Sequence, residues 1–206
     1  MDSRIARNLT YGMFIVSAKK WNKTGGCVIN TCIQVSTDPE CILISLMNSD
    51  YTRDLIKESG YLCVAILDET TPFELIKHFG FQSGRDVDKF RDIPSFNDIY
   101  DNPCVLSNTC AYISAKVTES INLGSHTLFI GKVKDSKLLN ENRPLTYAEY
   151  HLNVKPQPQK EVEKEIVGWR CQICGYIYDG PVLPNDFVCP NCGHYAEDFE
   201  PIYKEE

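Results

Sequence analysis

Residues 171–180 read C-Q-I-C-G-Y-I-Y-D-G, and residues 189–193 read C-P-N-C-G. In each C-x-x-C pair, the two intervening residues form a tight turn that brings both sulfurs within reach of one ion. Two such turns that face each other make a tetrahedral cage of four thiolates, which suits zinc or iron. The sequence therefore predicts a metal site at Cys171, Cys174, Cys189 and Cys192; the alternative is four buried or disulfide-bonded cysteines.

Glycine follows both pairs, at Gly175 and Gly193. A residue that can take positive φ at these places lets the chain curl until its N–H groups aim at the sulfurs. Such hydrogen bonds tune the redox potential of an iron–thiolate centre. Residues 168–202 resemble the rubredoxin family at both pairs, with Trp169, Phe187 and Phe199 as candidate aromatic packing. The stretch between the pairs is shorter than in free-standing rubredoxins, so zinc stays open beside iron.

The length of 206 residues allows one large domain and one small domain. A module of about 35 residues is too small to be held by a hydrophobic core alone, so the metal must supply much of its folding energy. The stretch from Lys155 to Glu165 holds two prolines and many charges, which is typical of a linker. We expect a large domain over residues 1–151, a linker over 152–167 and a metal domain over 168–206.

The formal charge of −7 is concentrated at the end of the chain. Residues 171–206 hold seven acidic residues and one lysine, which gives 1 − 7 = −6 and leaves about −1 for residues 1–170. This distribution argues against nucleic acid and favours docking onto a positively charged protein surface, with plain solubility as the alternative.

The apolar pattern does not suggest a membrane protein. We expect a soluble, cytoplasmic chain, because no signal peptide precedes Arg4 and the apolar run from Cys41 to Met47 is far too short to span a bilayer. The six cysteines outside the two pairs are interpreted as small buried hydrophobic residues in a reducing compartment.

The first 140 residues alternate between strand and helix patterns without regular β-α-β order, which favours a mainly β (α+β) barrel over a doubly wound sheet. Neither a G-x-G-x-x-G nor a P-loop motif occurs.

Three helices are predicted. The first covers residues 3–9, and the second covers 52–58, with a cap at 49–51 and an end at Gly60. The third starts from a capping box at Thr71–Glu74, with Pro72 at its first helical position, and runs to about Phe79. Strands are predicted over 12–20, 27–36, 41–47, 61–67, 111–119 and 126–138, with a polar hairpin turn over 21–26 that contains Gly25 and Gly26.

Four motifs in this region resemble the flavin reductase family. They are G-C-V-I-N-T-C-I-Q-V-S-x-x-P at 26–39, N-S-x-x-T at 48–52, S-G-x-x-x-x-K-F at 83–90 and G-S-H-T-L-F-I-G-x-V at 124–133. The resemblance covers about residues 5–140 and implies an FMN-binding split β-barrel, commonly a homodimer with FMN near the subunit interface. It implies flavin contacts at Asn30, Thr31, Cys32, Asn48, Ser49, Thr52, Ser83, Gly84, Lys89 and Phe90.

The proposed roles agree with the chemistry of these residues. Ser49 and Thr52 stand at a helix N-terminus, where free N–H groups and the dipole favour a phosphate; plain capping is the alternative. Ser83, Arg85 and Lys89 add hydroxyl and cationic groups, although alone they would make an ordinary polar loop. One interpretation of residues 30–32 is that they offer backbone groups to the polar edge of the flavin. The alternative is an ordinary half-buried strand.

His126 opens a predicted strand after a glycine turn. A histidine in such a place is usually structural, but the family resemblance places it near the flavin, where it would meet nicotinamide or orient the substrate. We treat His126 as the candidate catalytic residue.

The two halves together look like the flavin reductase–rubredoxin fusions sometimes called high-molecular-weight rubredoxins. A flavin accepts two electrons as a hydride and releases them singly, whereas one iron carries a single electron. The resemblance implies electron flow from NAD(P)H through FMN to iron, and then to a separate redox protein such as a flavodiiron oxygen or nitric oxide reductase. The alternatives are a free-flavin or ferric reductase with a structural zinc ribbon, and a non-enzymatic electron carrier.

Overall fold

The computed structural model describes residue 5, residues 8–156 and residues 166–204. The chain forms two compact units, residues 1–156 and 157–206, which are treated separately. The helix expected over residues 3–9 and the part of the linker at 157–165 fall largely or wholly outside the described residues. Within the described part, no helix has the length and apolar character that crossing a bilayer requires.

The first unit is built on one antiparallel seven-stranded sheet with the order β2-β1-β5-β8-β9-β4-β3. Two helices are inserted between its strands, and a small two-stranded sheet lies outside it. The elements are β1 (Phe14–Lys20), β2 (Lys23–Ile29), β3 (Cys32–Thr37), β4 (Glu40–Met47), α1 (Tyr51–Ser59), β5 (Tyr61–Leu67), α2 (Phe73–Gly80), β6 (Ser95–Asn97), β7 (Pro103–Val105), β8 (Thr109–Asn122), β9 (His126–Leu138), α3 (Tyr147–Glu149) and a π-helical turn (Tyr150–Val154).

The connection between β2 and β3 closes the sheet into a barrel. These strands are the two edges of the sheet, yet only Asn30 and Thr31 separate them in the chain. Three Cα steps span at most about 11 Å, so the two edges must come together at this point. The sheet therefore curls into a barrel that is open along the line between β2 and β3, which confirms the predicted split barrel.

Both faces of the central strands are buried, because successive side chains of a strand point to opposite sides. Val16 and Val64 belong to one core, which α1 covers with Leu55 and Ile56. Ile15 and its neighbours belong to a second core, which includes residues of α2. The two cores therefore hold α1 and α2 against the strands of the barrel.

The β1–β2 hairpin differs from the prediction. Its turn is the two-residue loop Trp21–Asn22, and Gly25 and Gly26 lie inside β2. A Cβ at Gly26 would stand 2.8 Å from the Phe90 ring, and one at Gly25 would stand 2.9 Å from Leu55. These glycines therefore permit close packing across the strand, and the turn prediction at 21–26 was wrong about their role.

The start of α2 also differs. Pro72 is the N-cap rather than the first helical residue, and no side chain caps this end. The hydroxyl of Thr71 instead donates to the carbonyl of Asp68 at 2.6 Å, so the predicted capping box at Thr71–Glu74 was wrong. The helix at 52–58 is confirmed as α1, which ends at Gly60 with a φ of 78°.

The second unit is a three-stranded antiparallel sheet with the order β11-β10-β12. Its elements are β10 (Ile166–Cys171), β11 (Ile177–Asp179), a 3₁₀ turn (Ala196–Asp198) and β12 (Phe199–Tyr203). Phe199 is buried with Cys171 and Cys189, and Trp169 and Phe187 pack against them. The predicted aromatic packing is confirmed. The segment expected as a linker begins inside the π-helical turn and ends inside β10.

Candidate metal centre and flavin site

The four paired cysteines come together in one cluster. All four sulfurs lie within 4.8 Å of one another. The sulfur of Cys171 is 3.7 Å from that of Cys192, and the sulfur of Cys174 is 3.5 Å from that of Cys189. A tetrahedral ion with metal–sulfur bonds of about 2.3 Å requires sulfur–sulfur edges of about 3.8 Å. The donor set and its dimensions therefore fit a single tetrahedral iron or zinc ion.

The backbone around the cluster repeats one arrangement twice. Gly175 and Gly193 both have positive φ, at 76° and 75°. The N–H of Gly175 donates to the carbonyl of Cys171, and the N–H of Gly193 donates to that of Cys189, both at 2.9 Å. The curl expected from a glycine after each C-x-x-C pair is therefore present after both pairs.

Main-chain N–H groups also point at the buried sulfurs. Burial by itself raises the pKa of Cys189, but N–H groups of Asn191 and Cys192 outweigh that effect and bring this pKa to about 7. Cys171 has a lowered pKa for the same reasons, with N–H groups from Ile173 and Cys174. These donors favour thiolates, which are the form that binds a metal.

The two sides of the cluster differ in their access to solvent. Cys171 and Cys189 are buried, Cys174 is exposed and Cys192 is partly exposed. One side of the cage is therefore covered by the aromatic core, and the other side faces the surface.

Two cavities of the first unit share part of their lining. The larger, of about 330 Å³, is lined by residues of β2, β4 and α2, together with Asn30, Lys89 and His126. The smaller, of about 270 Å³, lies at the start of α1 and is lined by Ser49, Thr52, Ser83 and Gly84 among others. The fold thus joins most of the polar motifs at one connected site.

The start of α1 leaves its N–H groups available. Asp50 is the N-cap residue, but no side chain makes a capping hydrogen bond there. Plain capping by Ser49 or Asp50, the alternative reading of this motif, is absent from this described segment. The guanidinium of Arg85 lies 5.1 Å from the Tyr51 ring and donates to the carbonyl of Ser49 at 3.1 Å. Free N–H groups and a nearby cation make this end of α1 suitable for an anion.

Lys89 lines both cavities but is already occupied. Its ammonium donates to the carbonyl of Gly26 at 2.8 Å and to that of Phe79 at 2.7 Å. Desolvation lowers the pKa of this lysine. It ties β2 to α2 and contributes its charge to the lining of both cavities.

Four of the predicted flavin residues do not line either cavity in this structure: Thr31, Cys32, Asn48 and Phe90. Cys32 packs against the first core, and burial raises its pKa to about 12. The amide of Asn48 bonds Gly124 and Thr127, and therefore fixes the β8–β9 turn. The Phe90 ring packs on Phe79.

His126 lines the larger cavity from the first residue of β9, opposite Met47 of β4. The ring is half-buried, and its Nδ1 lies 2.8 Å from the hydroxyl of Ser125. This hydrogen bond fixes the ring orientation and leaves Nε2 for a ligand.

Asp50, Tyr147 and Tyr150 are among the cavity-wall residues that sequence reasoning missed. Asp50 lines both cavities, and Tyr147 and Tyr150 line the larger one from the helical segment after β9. The only sequence signal for the tyrosines was the capping box that starts this segment, in which Thr146 and Glu149 bond each other reciprocally.

Comparison with known proteins identifies the class. Residues 6–154 match the family described as flavin reductase like domain, and residues 169–200 match the rubrerythrin, rubredoxin-like domain. The chain belongs to the flavin reductase-like family and carries a rubredoxin-like domain at its C-terminal side.

Individual relatives agree with this class. The chain is 33% identical, over 98% of its length and 100% of the relative's, to the high molecular weight rubredoxin of Moorella thermoacetica. It is 34% identical, over 75% of its length and 92% of the relative's, to the ferric-chelate reductase (NAD(P)H) of Archaeoglobus fulgidus. The solved structure of the flavin reductase HpaC complexed with NADP+ superposes with a TM-score of 0.61 and 27% identity, over 69% of this chain and 88% of that one. The protein is an oxidoreductase of the flavin reductase–rubredoxin type.

Proposed function

We propose that the protein takes electrons from NAD(P)H onto FMN, passes them to a rubredoxin-type Fe(Cys)4 centre and delivers them to a separate redox protein. Bound FMN would supply hydride acceptance and one-electron release, and bound iron would supply a one-electron site. The observation that carries this proposal is the presence, in one chain, of a two-part cavity at a helix N-terminus and a four-sulfur cluster of tetrahedral dimensions.

The smaller cavity would hold the flavin phosphate. Ser49, Thr52 and Ser83 offer hydroxyl groups, and the uncapped N–H groups of α1 point into the same region. Arg85 stands next to it, although its charge is shared with Asp54, whose carboxylate it contacts at 2.6 Å. These groups supply the hydrogen bonds and the positive potential that a phosphate needs.

The larger cavity would hold the flavin ring and admit nicotinamide. Asn30, which follows β2, and His126 of β9 both line this cavity. Tyr147 and Tyr150 add aromatic surface. The residues at 30–32 keep their proposed role at the polar edge of the ring, with Thr31 and Cys32 acting through backbone groups.

His126 would position the nicotinamide rather than donate a proton. His126→Ala should lower the rate of flavin reduction by NAD(P)H roughly tenfold to hundredfold, because a misplaced hydride donor loses its near-attack geometry. Flavin content should be unchanged. An equal loss of bound flavin would assign the histidine to cofactor binding instead.

The four cysteines Cys171, Cys174, Cys189 and Cys192 would hold iron. The exposed side at Cys174 gives a route for electrons to leave, and the acidic charge of residues 171–206 would favour an acceptor with a positive surface, such as a flavodiiron protein. We place the chain in the cytoplasm, where the six cysteines outside the cluster would stay reduced, and we propose a homodimer on the family resemblance.

The cofactor content tests the proposal. We expect the purified chain to hold one iron and one FMN per polypeptide and to absorb in the visible range through both groups. Zinc in place of iron, or a colourless protein, would contradict it.

A second candidate is favoured by the likeness to the ferric-chelate reductase of A. fulgidus. That relative covers the first unit, so a free-flavin or ferric reductase with a structural zinc ribbon would use the same cavities. Steady NAD(P)H oxidation with a ferric chelate, unaffected by loss of the metal cluster, would favour this candidate.

A further inference from the structure

The two cavities share a set of lining residues, here called the neck, and one of these residues carries a carboxylate. The residues common to both linings are Cys27, Asp50, Gly80, Phe81, Gln82 and Lys89. Asp50 is half-buried and makes no capping hydrogen bond with the helix that it precedes. Its carboxylate is therefore at the junction of the cavities without serving the helix.

The cations near Asp50 are already bound to other groups. Lys89 donates to two carbonyl oxygens, and Arg85 pairs with Asp54 and the carbonyl of Ser49. His126 is bonded through Nδ1 to Ser125. They contribute positive charge around the neck, while the carboxylate keeps lone pairs for a ligand.

The balance of these surroundings raises the pKa of Asp50 above its ordinary value. Burial raises the pKa of Asp50, and the N–H of Met47 and the charges of Lys89, His126 and Arg85 only partly offset it. Cys27, a further titratable group of the neck beside Lys89, has its pKa raised to about 12 by burial and remains a thiol.

A flavin that spans both cavities must cross this neck with its ribityl chain. The chain offers hydroxyl donors, and an ionised carboxylate is a strong acceptor that has no donor of its own. We propose that Asp50 accepts hydrogen bonds from the ribityl hydroxyls of the flavin and so favours flavins that carry this chain over those that lack it. This inference rests on the proposed flavin site.

Ligands that lack one part of the flavin test the position of the contact. The full chain, freed of bound flavin, would be titrated with FMN, riboflavin and lumiflavin, which has no ribityl chain, while flavin fluorescence is followed. Asp50→Ala should weaken FMN and riboflavin alike, by roughly tenfold to hundredfold, because hydrogen bonds to a charged group are lost. Lumiflavin affinity should not change.

Glu58→Ala is the matched control, because Glu58 is an exposed acid near the other end of the same helix. It should leave all three affinities unchanged, and both variants should keep the wild-type melting temperature to within a few degrees. Equal weakening of lumiflavin in Asp50→Ala would overturn the proposal, as would weakening of FMN alone or no change at all. A wild-type chain that binds none of the three would remove the flavin site itself.

The pH dependence of riboflavin binding gives a second readout, since riboflavin carries no phosphate. The ionised carboxylate is the better acceptor, so wild-type affinity should fall as the pH is lowered through the raised pKa of Asp50. Asp50→Asn removes the titrating carboxyl, so the affinity of this variant should not fall in the same pH range. Any contribution of His126 to the pH profile is the same in both proteins. Identical profiles for the two proteins would contradict the proposed contact.

Discussion

At the scale of the residue, the chemistry of the second unit lies in four cysteine sulfurs. The C-x-x-C pairs predicted four sulfurs around one point, and the sulfurs lie within 4.8 Å of one another. The flavin motifs gave the order of residues but not the direction of each side chain. Asn48 bonds the β8–β9 turn instead of lining a cavity. Asp50 lines both cavities, although no motif distinguished it from a capping residue.

The buried ammonium of Lys89 gives a prediction about stability. Lys89→Met should destabilise the barrel by about 2–4 kcal/mol, because two carbonyls that now accept from a charged donor would lose their partner. Urea unfolding of the full chain would measure this change. Lys77→Met, which alters an exposed lysine of α2, is the control and should change stability by less than about 0.5 kcal/mol. A neutral result for Lys89→Met would show that the lysine does not tie β2 to α2.

Whole elements were mostly predictable from apolar patterns and turn residues. Tyr61–Leu67 and the end of α1 at Gly60 agree with expectation, because a continuous apolar run and a left-handed glycine are strong local signals. Gly25 and Gly26 were misassigned to the hairpin turn. Their role depends on Leu55 and Phe90, which are distant in sequence, and no local pattern carries that information.

The close packing at β2 predicts a large effect for a small change. Gly26→Ala should cost about 1–3 kcal/mol, because its Cβ would overlap the Phe90 ring at 2.8 Å. Gly80→Ala is the matched control, since its Cβ would meet only Val28, at 3.6 Å, in ordinary contact. Thermal unfolding compares the two variants. Equal melting temperatures would mean that the Phe90 ring can move away freely.

At the scale of the whole molecule, the sequence predicted two units with different sources of stability. The barrel buries two hydrophobic cores, whereas the described residues of the second unit bury a small cluster around two cysteines. The linker boundaries could not be read from composition, because the polar segment after β9 forms a π-helical turn that packs Tyr150 into the second core.

Metal removal should therefore unfold one unit and spare the other. The chain has two tryptophans: Trp21 is 83% exposed, and Trp169 packs over the metal cluster. In a Trp21→Phe background, extraction of the metal should shift Trp169 emission to longer wavelength, because small metal domains need the ion to fold. Backbone circular dichroism of the barrel should persist. An unshifted emission would mean that the small domain folds without its metal.

The order of electron transfer can be tested by breaking the cluster. Cys174→Ser should abolish reduction of an external acceptor protein while NAD(P)H still bleaches the flavin. Cys41→Ser, at a half-buried cysteine outside the cluster, is the control and should retain both activities. Equal loss of both reactions in Cys174→Ser would contradict a flavin that precedes the iron.

The central claim is that the two units form one path for electrons from nicotinamide to iron. Its most direct test is the visible spectrum of the full chain after anaerobic addition of NADH, and separately of NADPH. We predict that at least one of them bleaches the flavin and then the ferric–thiolate absorption. A flavin that bleaches while the iron stays oxidised, or no bleaching with either nucleotide, would contradict the account.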